Sequence, residues 1–101
     1  MNAQANEPLF STGQLLMTPG ALQALSEAKQ DPMEFLNRHF RGDWGDLAEE
    51  DKQENELSLR EGYRLLSAYH TRQNVKLWVI TEAADDAGQR LATTILLPEE
   101  Y

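Results

Sequence analysis

The side chains best equipped for chemistry are two histidines, His39 and His70, with Asp43 and Asp46 shortly downstream of the first. A general base needs an orienting partner and a nucleophile within reach. His39 with Asp43 or Asp46 would supply the base and its orienter in a hydrolase or nuclease. The nucleophile is missing: Ser11, Ser26, Ser58 and Ser67 stand in no Gly-x-Ser-x-Gly turn. His39 falls near the end of a helix, where the dipole favours a cation, and it reads more simply as a surface residue. No catalytic residue is expected, and the chain reads as a non-enzyme.

Other constellations fare no better. Glu50 and Glu54 lie one helical turn apart with Asp51 beside them, oxygen ligands that suit calcium or magnesium. Their spacing matches no EF-hand loop, and a solvated acidic face accounts for them, so neither metal nor cofactor is expected. Gly42, Gly45 and Gly62 have neither the spacing nor the lysine of a phosphate-binding loop. Arg41-Gly42-Asp43 is similar to an adhesion tripeptide but has no role to match it here. Arg64, Arg72, Lys76 and Arg90 interleave with Tyr63, Tyr69 and Trp78, the mixture with which some sheets bind single-stranded nucleic acid. Cross-strand packing explains the same aromatics.

Charge sharpens the choice. The 101 residues carry 17 acidic against 9 basic groups, a net charge of −8. Such a chain repels nucleic acid on average, so direct binding to it is disfavoured. An acidic face over Asp46–Glu56, led by Glu49, Glu50, Asp51 and Glu54, suits a basic protein partner, including one whose DNA groove it would occupy. There is no cysteine, which excludes disulfides and a thiol nucleophile. No apolar run is long enough for a membrane helix. The opening MNAQANEP lacks the basic-then-apolar order of a signal peptide, so a cytoplasmic location is expected.

The elements that must position these residues are legible in outline. Residues 1–8 read as a disordered tail and residues 9–101 as one α+β domain. Gly13–Met17 is a short apolar strand. Thr18-Pro19 caps a helix running to about Lys29, with Leu22, Leu25 and Ala28 on one stripe. Asp31-Pro32, with Glu34 closing a capping box, starts a second helix to about Arg41, whose apolar face is Met33, Leu36 and Phe40. Gly42, Asp43, Trp44 and Gly45 form a hinge in which Trp44 plugs the core. Asp46-Leu47-Ala48-Glu49 is a further capping box, opening a short, exposed and weakly anchored helix.

The last third holds three strands, 63–70, 75–82 and 91–98, separated by short polar gaps with Asn74 and Gly88 as turn formers. The expected architecture is thus an N-terminal short strand and two to three helices packed on a C-terminal three-stranded antiparallel meander. Strand 63–70 places Tyr63, Leu65 and Tyr69 on one side and Leu66 and Ala68 on the other; strand 75–82 sets Val75, Leu77 and Val79 against Trp78 and Ile80; strand 91–97 sets Leu91, Ile95 and Leu97 against Leu96. Both faces are apolar, so Trp78, Ile80 and Leu66 are expected to meet another molecule, either an unidentified protein or a second copy in a homodimer.

The strings LMTPGALQAL, LNRHFRGDWGDL, LREGYRLLSAY, KLWVITEA and TTILLPEEY, spread over residues 9–101, resemble a family of small bacterial proteins carried by plasmids, integrative elements and phages. Its members go by labels such as "plasmid-related protein", and some are labelled as type I restriction–modification subunits. This chain has no room for a methyltransferase domain. The segment between Thr81 and Thr93 is longer than the family's EADRS-like turn, which leaves the register of the last hairpin open. The resemblance implies a mobile-element protein that binds a host or element protein. An acidic inhibitor of restriction or CRISPR defences acting by DNA mimicry is the alternative.

Overall fold

The computed structural model describes residues 7–101. Of the tail expected over residues 1–8, residues 1–6 lie outside the described residues, and Glu7 and Pro8 are exposed. The fold is α+β, with three helices and an open four-stranded sheet in the order β1-β4-β3-β2. The strands are β1 (Gln14–Met17), β2 (Leu65–His70), β3 (Lys76–Thr81) and β4 (Ala92–Leu96). The helices are α1 (Pro19–Ala28), α2 (Pro32–Phe40) and α3 (Glu49–Glu61).

The three C-terminal strands form the expected antiparallel meander. Leu66 lies opposite Ile80, and Ile80 opposite Thr94. Thr81 opposite Thr93 fixes the register of the last hairpin. The N-terminal strand joins beyond the meander, parallel to β4, with Gln14 beside Ala92 and Met17 beside Ile95. Parallel neighbours need a long connection, and here everything from α1 to β3 supplies it.

Local chemistry places the helices. Thr18 accepts a hydrogen bond from the Ala21 amide and Asp31 one from the Met33 amide, so each cap sits one residue before its proline. Glu34 does not close a capping box; its carboxylate accepts from Gln30 instead. Of the expected stripe, Leu25 and Ala28 are buried and Leu22 is not; Ala21 and Ala24 complete the buried face, small enough to bring α1 close to β4. On α2 the buried side chains are Phe35, Leu36, His39 and Phe40, with Met33 largely exposed. These residues meet Tyr69, Leu77, Val79 and Ile95 on one side of the sheet, with Phe10, Met17, Val75 and Leu97 at the margin. Leu91, expected to share a side with Ile95 and Leu97, is solvent-exposed just before β4 begins.

The third helix is longer and better held than expected. It begins at Glu49, not Asp46, and continues through Leu57–Glu61 until Gly62 ends it in the left-handed conformation. Asp46 does not cap it: Ala48 holds the N-cap position, and the Asp46 carboxylate is paired with His70. Asn55 fixes it to the sheet, donating to the Leu66 carbonyl at 2.6 Å and accepting from the Leu66 amide at 3.1 Å.

A final turn, Pro98–Glu100, returns to α1. The Glu100 carboxylate accepts from the Thr18 hydroxyl at 2.5 Å, the Gly20 amide at 2.9 Å and the Leu97 amide at 2.8 Å. These donors, Thr18 first, hold the carboxyl below its usual range.

Two glycines are demanded by close backbone approach. A Cβ on Gly13 would overlap the carbonyls of Arg90 and Leu91, and one on Gly45 the Ala68 carbonyl, and both have positive φ. Gly45→Ala is expected to cost about 3 kcal/mol or more. Gly88→Ala, with positive φ but open space around it, should cost only about 1–2 kcal/mol. Urea titration of both variants reads the difference; equal costs would remove the clash from the explanation.

Candidate functional site

A groove of about 560 Å³ lies between α3 and the outer face of the sheet. Its floor is Leu66, Ala68 and Trp78, adjacent on that face through the strand register. One wall carries Asp46, Asp51 and Glu54, and Arg64 and Lys76 stand among the remaining lining residues. Arg64 is engaged at home: its guanidinium lies 5.3 Å over the Tyr101 ring and donates to the Tyr101 hydroxyl. Tyr101 in turn meets Trp78 edge to face, with ring centroids 5.8 Å apart.

This arrangement corrects the expectation of a bare apolar sheet face. Ile80 is only 4% exposed, and Leu66 and Trp78 are half-buried. The reason is that α3 runs beside β2 and the C-terminal turn beside β3. What stays accessible is a groove with an aromatic floor. The acids of α3 divide between two settings. Asp51 and Glu54 reach the groove, and Glu49 and Glu50 point to solvent. Among the described residues, no three His, Cys, Asp or Glu side chains converge as a metal site requires.

Trp44 is buried, and its indole N–H donates to Glu56 at 2.8 Å, tying the hinge to α3. Gly45 pairs with Ala68 as a short parallel bridge on the outer edge of β2. Asp43 is held by Arg38 at 2.7 Å, which depresses the carboxyl pKa and raises that of the guanidinium. Both partners are largely solvated, so the pair adds at most about 1 kcal/mol. Arg38 also lies 4.5 Å over the Tyr69 ring, and Tyr69 donates its hydroxyl to the Asp43 carbonyl. Burial pushes the Tyr69 phenol above its ordinary pKa.

The histidines are placed differently from expectation. His70 pairs with Asp46 at 2.7 Å on the surface. His39, read from sequence as a surface residue, is 0% exposed. It meets neither Asp43 nor Asp46. Its Nδ1 lies 2.6 Å from the Ser67 hydroxyl and its Nε2 2.9 Å from the Thr81 hydroxyl. Thr81 continues to Thr93 at 2.7 Å, and Thr93 donates to the Thr12 carbonyl at 2.7 Å.

The direction of this chain follows from its last member. A carbonyl only accepts, so the Thr93 proton is committed to Thr12. Thr81 must then donate to Thr93, and its own oxygen accepts from Nε2–H of His39. The bare Nδ1 accepts from Ser67. His39 is therefore the neutral Nε2–H tautomer, wedged edge-on against Phe10 and Trp44. Ser67 and His39 have the spacing of a nucleophile and its base, but both are fully buried and neither lines the groove beside α3. Ser67 and His39 are 28 positions apart, with no local motif to join them, so the pair has no signature in the sequence.

Arg90 is the other buried polar group of note. Its guanidinium donates to the carbonyls of Tyr63, Glu82 and Ser58 at 2.7, 2.9 and 3.2 Å. Three carbonyls, one from the last turns of α3, hold the cation where the helix dipole is negative. Burial lowers the Arg90 pKa, and the cation is a second cause, after burial, of the fall in the His39 pKa to about 3. Of the sheet's basic residues, Arg64 and Lys76 line the groove with Trp78, whereas Arg90 is buried; Tyr69 lies on the opposite face from Trp78.

Comparisons with protein-family models, with curated proteins and with solved structures find no match.

Because the folded state refuses the His39 proton between pH 6.5 and about 3, while the unfolded chain accepts it, stability is full above pH 6.5 and falls as pH drops through that window. The loss is roughly 5 kcal/mol at most, at about 1.4 kcal/mol per pKa unit. His39→Gln keeps a donor and an acceptor but does not titrate. Urea titrations from pH 7 to 4 should show a shallower acid slope in the variant, and an unchanged slope would assign it to other groups.

Proposed function

We propose that the chain is a non-enzymatic protein-interaction module, encoded by a plasmid, integrative element or phage, that binds a host or element protein in the cytoplasm. The observation that carries this reading is the groove between α3 and the sheet. It combines an aromatic floor at Trp78 with acids on one wall. An extended protein segment with apolar and basic side chains matches both: its apolar groups displace water over Trp78 and Leu66, and its cations meet Asp51 and Glu54. The sealing of His39 and Ser67 agrees with a role in binding. The sequence resemblance to mobile-element proteins supports the setting.

A second reading is favoured by the outer acids of α3. Glu49, Glu50, Asp51 and Glu54 are all exposed, and negative charges along a helix can stand in for a phosphate backbone in the groove of a restriction or CRISPR complex.

The two readings separate by mutation. Trp78→Ala and the paired change Asp51→Lys with Glu54→Lys should each weaken capture of the native-host partner by about tenfold or more, with melting temperature preserved. Undiminished capture by both variants would sink the groove. Under the second reading, neutralising Glu49, Glu50, Asp51 and Glu54 to their amides abolishes inhibition of a purified restriction or CRISPR complex, whereas Trp78→Ala leaves it intact.

A further inference from the structure

The two edges of the sheet are treated differently. On β2 the outward-facing backbone is satisfied at Leu66 and Ala68. The Leu66 amide and carbonyl are taken by Asn55, the Ala68 amide donates to the Trp44 carbonyl, and the Ala68 carbonyl accepts from Asp46. On β1 the Gln14 amide donates to Leu91 and the Thr18 amide to Ile95. In a parallel pair these bonds fall on alternate residues, so Gln14, Leu16 and Thr18 turn their backbone groups toward β4. Leu15 and Met17 therefore turn theirs to solvent.

The side chains on this edge are apolar. Leu15 is 45% exposed and Leu16 43%, on opposite faces of the sheet. Leu15 and Met17 flank a shallow cleft of about 230 Å³ with Met33 and Leu36. β1 is short, four residues, but no lysine or proline interrupts Gln14–Met17, two of the devices that keep an edge from pairing.

Charge identifies the occupant. The chain is −8 overall, so two copies repel across most orientations. Pro8–Ser26, which contains β1, is the longest stretch without an Asp, Glu, Lys or Arg. A partner of opposite charge gains nothing from a neutral strip and would be drawn to the acids of α3. An identical acidic chain has this strip as the place where main-chain pairing meets no like-charge penalty, and a two-fold axis makes one patch its own complement.

We propose that the protein forms a homodimer by antiparallel pairing of β1 with β1 of a second copy, Leu16 facing its counterpart across the two-fold axis. In that register Leu15 of each copy exchanges both main-chain hydrogen bonds with Met17 of the other, and the four-stranded sheet becomes one continuous sheet across two subunits. Leu16, whose own backbone groups point to β4, takes the non-hydrogen-bonded position, where opposing Cα atoms lie about 4.5 Å apart. That separation is within the range a disulfide spans.

The test uses the full chain. Sedimentation velocity should show the mass rising with concentration from 11.5 kDa toward twice that value. Leu16→Lys places like charges opposite one another and should raise the dissociation constant by about tenfold or more, with the circular dichroism spectrum unchanged. The chain has no cysteine, so Leu16→Cys under mild oxidation should convert to a covalent dimer far faster than Leu22→Cys on exposed α1. A protein that stays monomeric at roughly 1 mM overturns the proposal. So does a dimer that survives Leu16→Lys, or equal cross-linking by the two cysteine variants. Leu15 and Met17 amides that gain exchange protection only when a different protein is added would assign the edge to a foreign strand and overturn it as well. None of these outcomes touches the Trp78 groove, which lies at the other end of the sheet.

Discussion

Everything in this fold is referred to one buried line of hydrogen bonds. Ser67 lies on β2, Thr81 on β3 and Thr93 on β4, Thr12 leads into β1, and His39 comes down from α2. The line touches every strand or its entry and one covering helix. Each hydroxyl is used, each ring nitrogen is matched, and among the described residues no buried side-chain polar atom lacks a partner. A fully satisfied polar network in an apolar core specifies one arrangement, because every shift in register leaves a donor without its acceptor. The apolar residues around it supply most of the favourable energy, but they would tolerate sliding that the line does not.

The line runs on the covered face of the sheet, and the sheet separates that face from a partly open one. On the first, α1 and α2 cover the sheet with Leu25, Phe35, Leu36 and Phe40. On the other, α3 is pinned by Asn55 and by Arg90 and covers only part of the sheet, leaving the Trp78 groove. The acidity that makes α3 a poor core element makes it a suitable groove wall. Its interior anchors are only Asn55 and Ser58, so its position depends on hydrogen bonds to backbone rather than on an apolar stripe.

What could be read from the residues alone follows the range of each signal. Caps and breakers are local: Thr18-Pro19, Asp31-Pro32 and Gly62 announce themselves within a few positions. Strand alternation is local too, and it correctly set Tyr69 against Leu66, and Leu77 and Val79 against Trp78. Leu22 is the one misassigned member of the α1 stripe, because a leucine outweighs the neighbouring Ala21 and Ala24 in a hydrophobic pattern although these alanines are the buried residues. His39 was misplaced because its partners lie 28 and 42 positions away. Nothing near a polar residue in a helix tells whether hydroxyls will arrive to bury it. The bareness of Trp78 and Ile80 was overestimated because α3 was read as too short and too loose to reach them. The groove and the open edge are relations between distant segments, and such relations exist only after folding.

The parallel partnership of Gln14 with Ala92 has a temporal side. Gln14–Met17 has β4 as its neighbour in the sheet, and the α1, α2, α3, β2 and β3 segments all precede β4 in the chain. During synthesis the β2–β3 hairpin can pair before Ala92–Leu96 exists, whereas β1 cannot take its place in the sheet until that strand has been made.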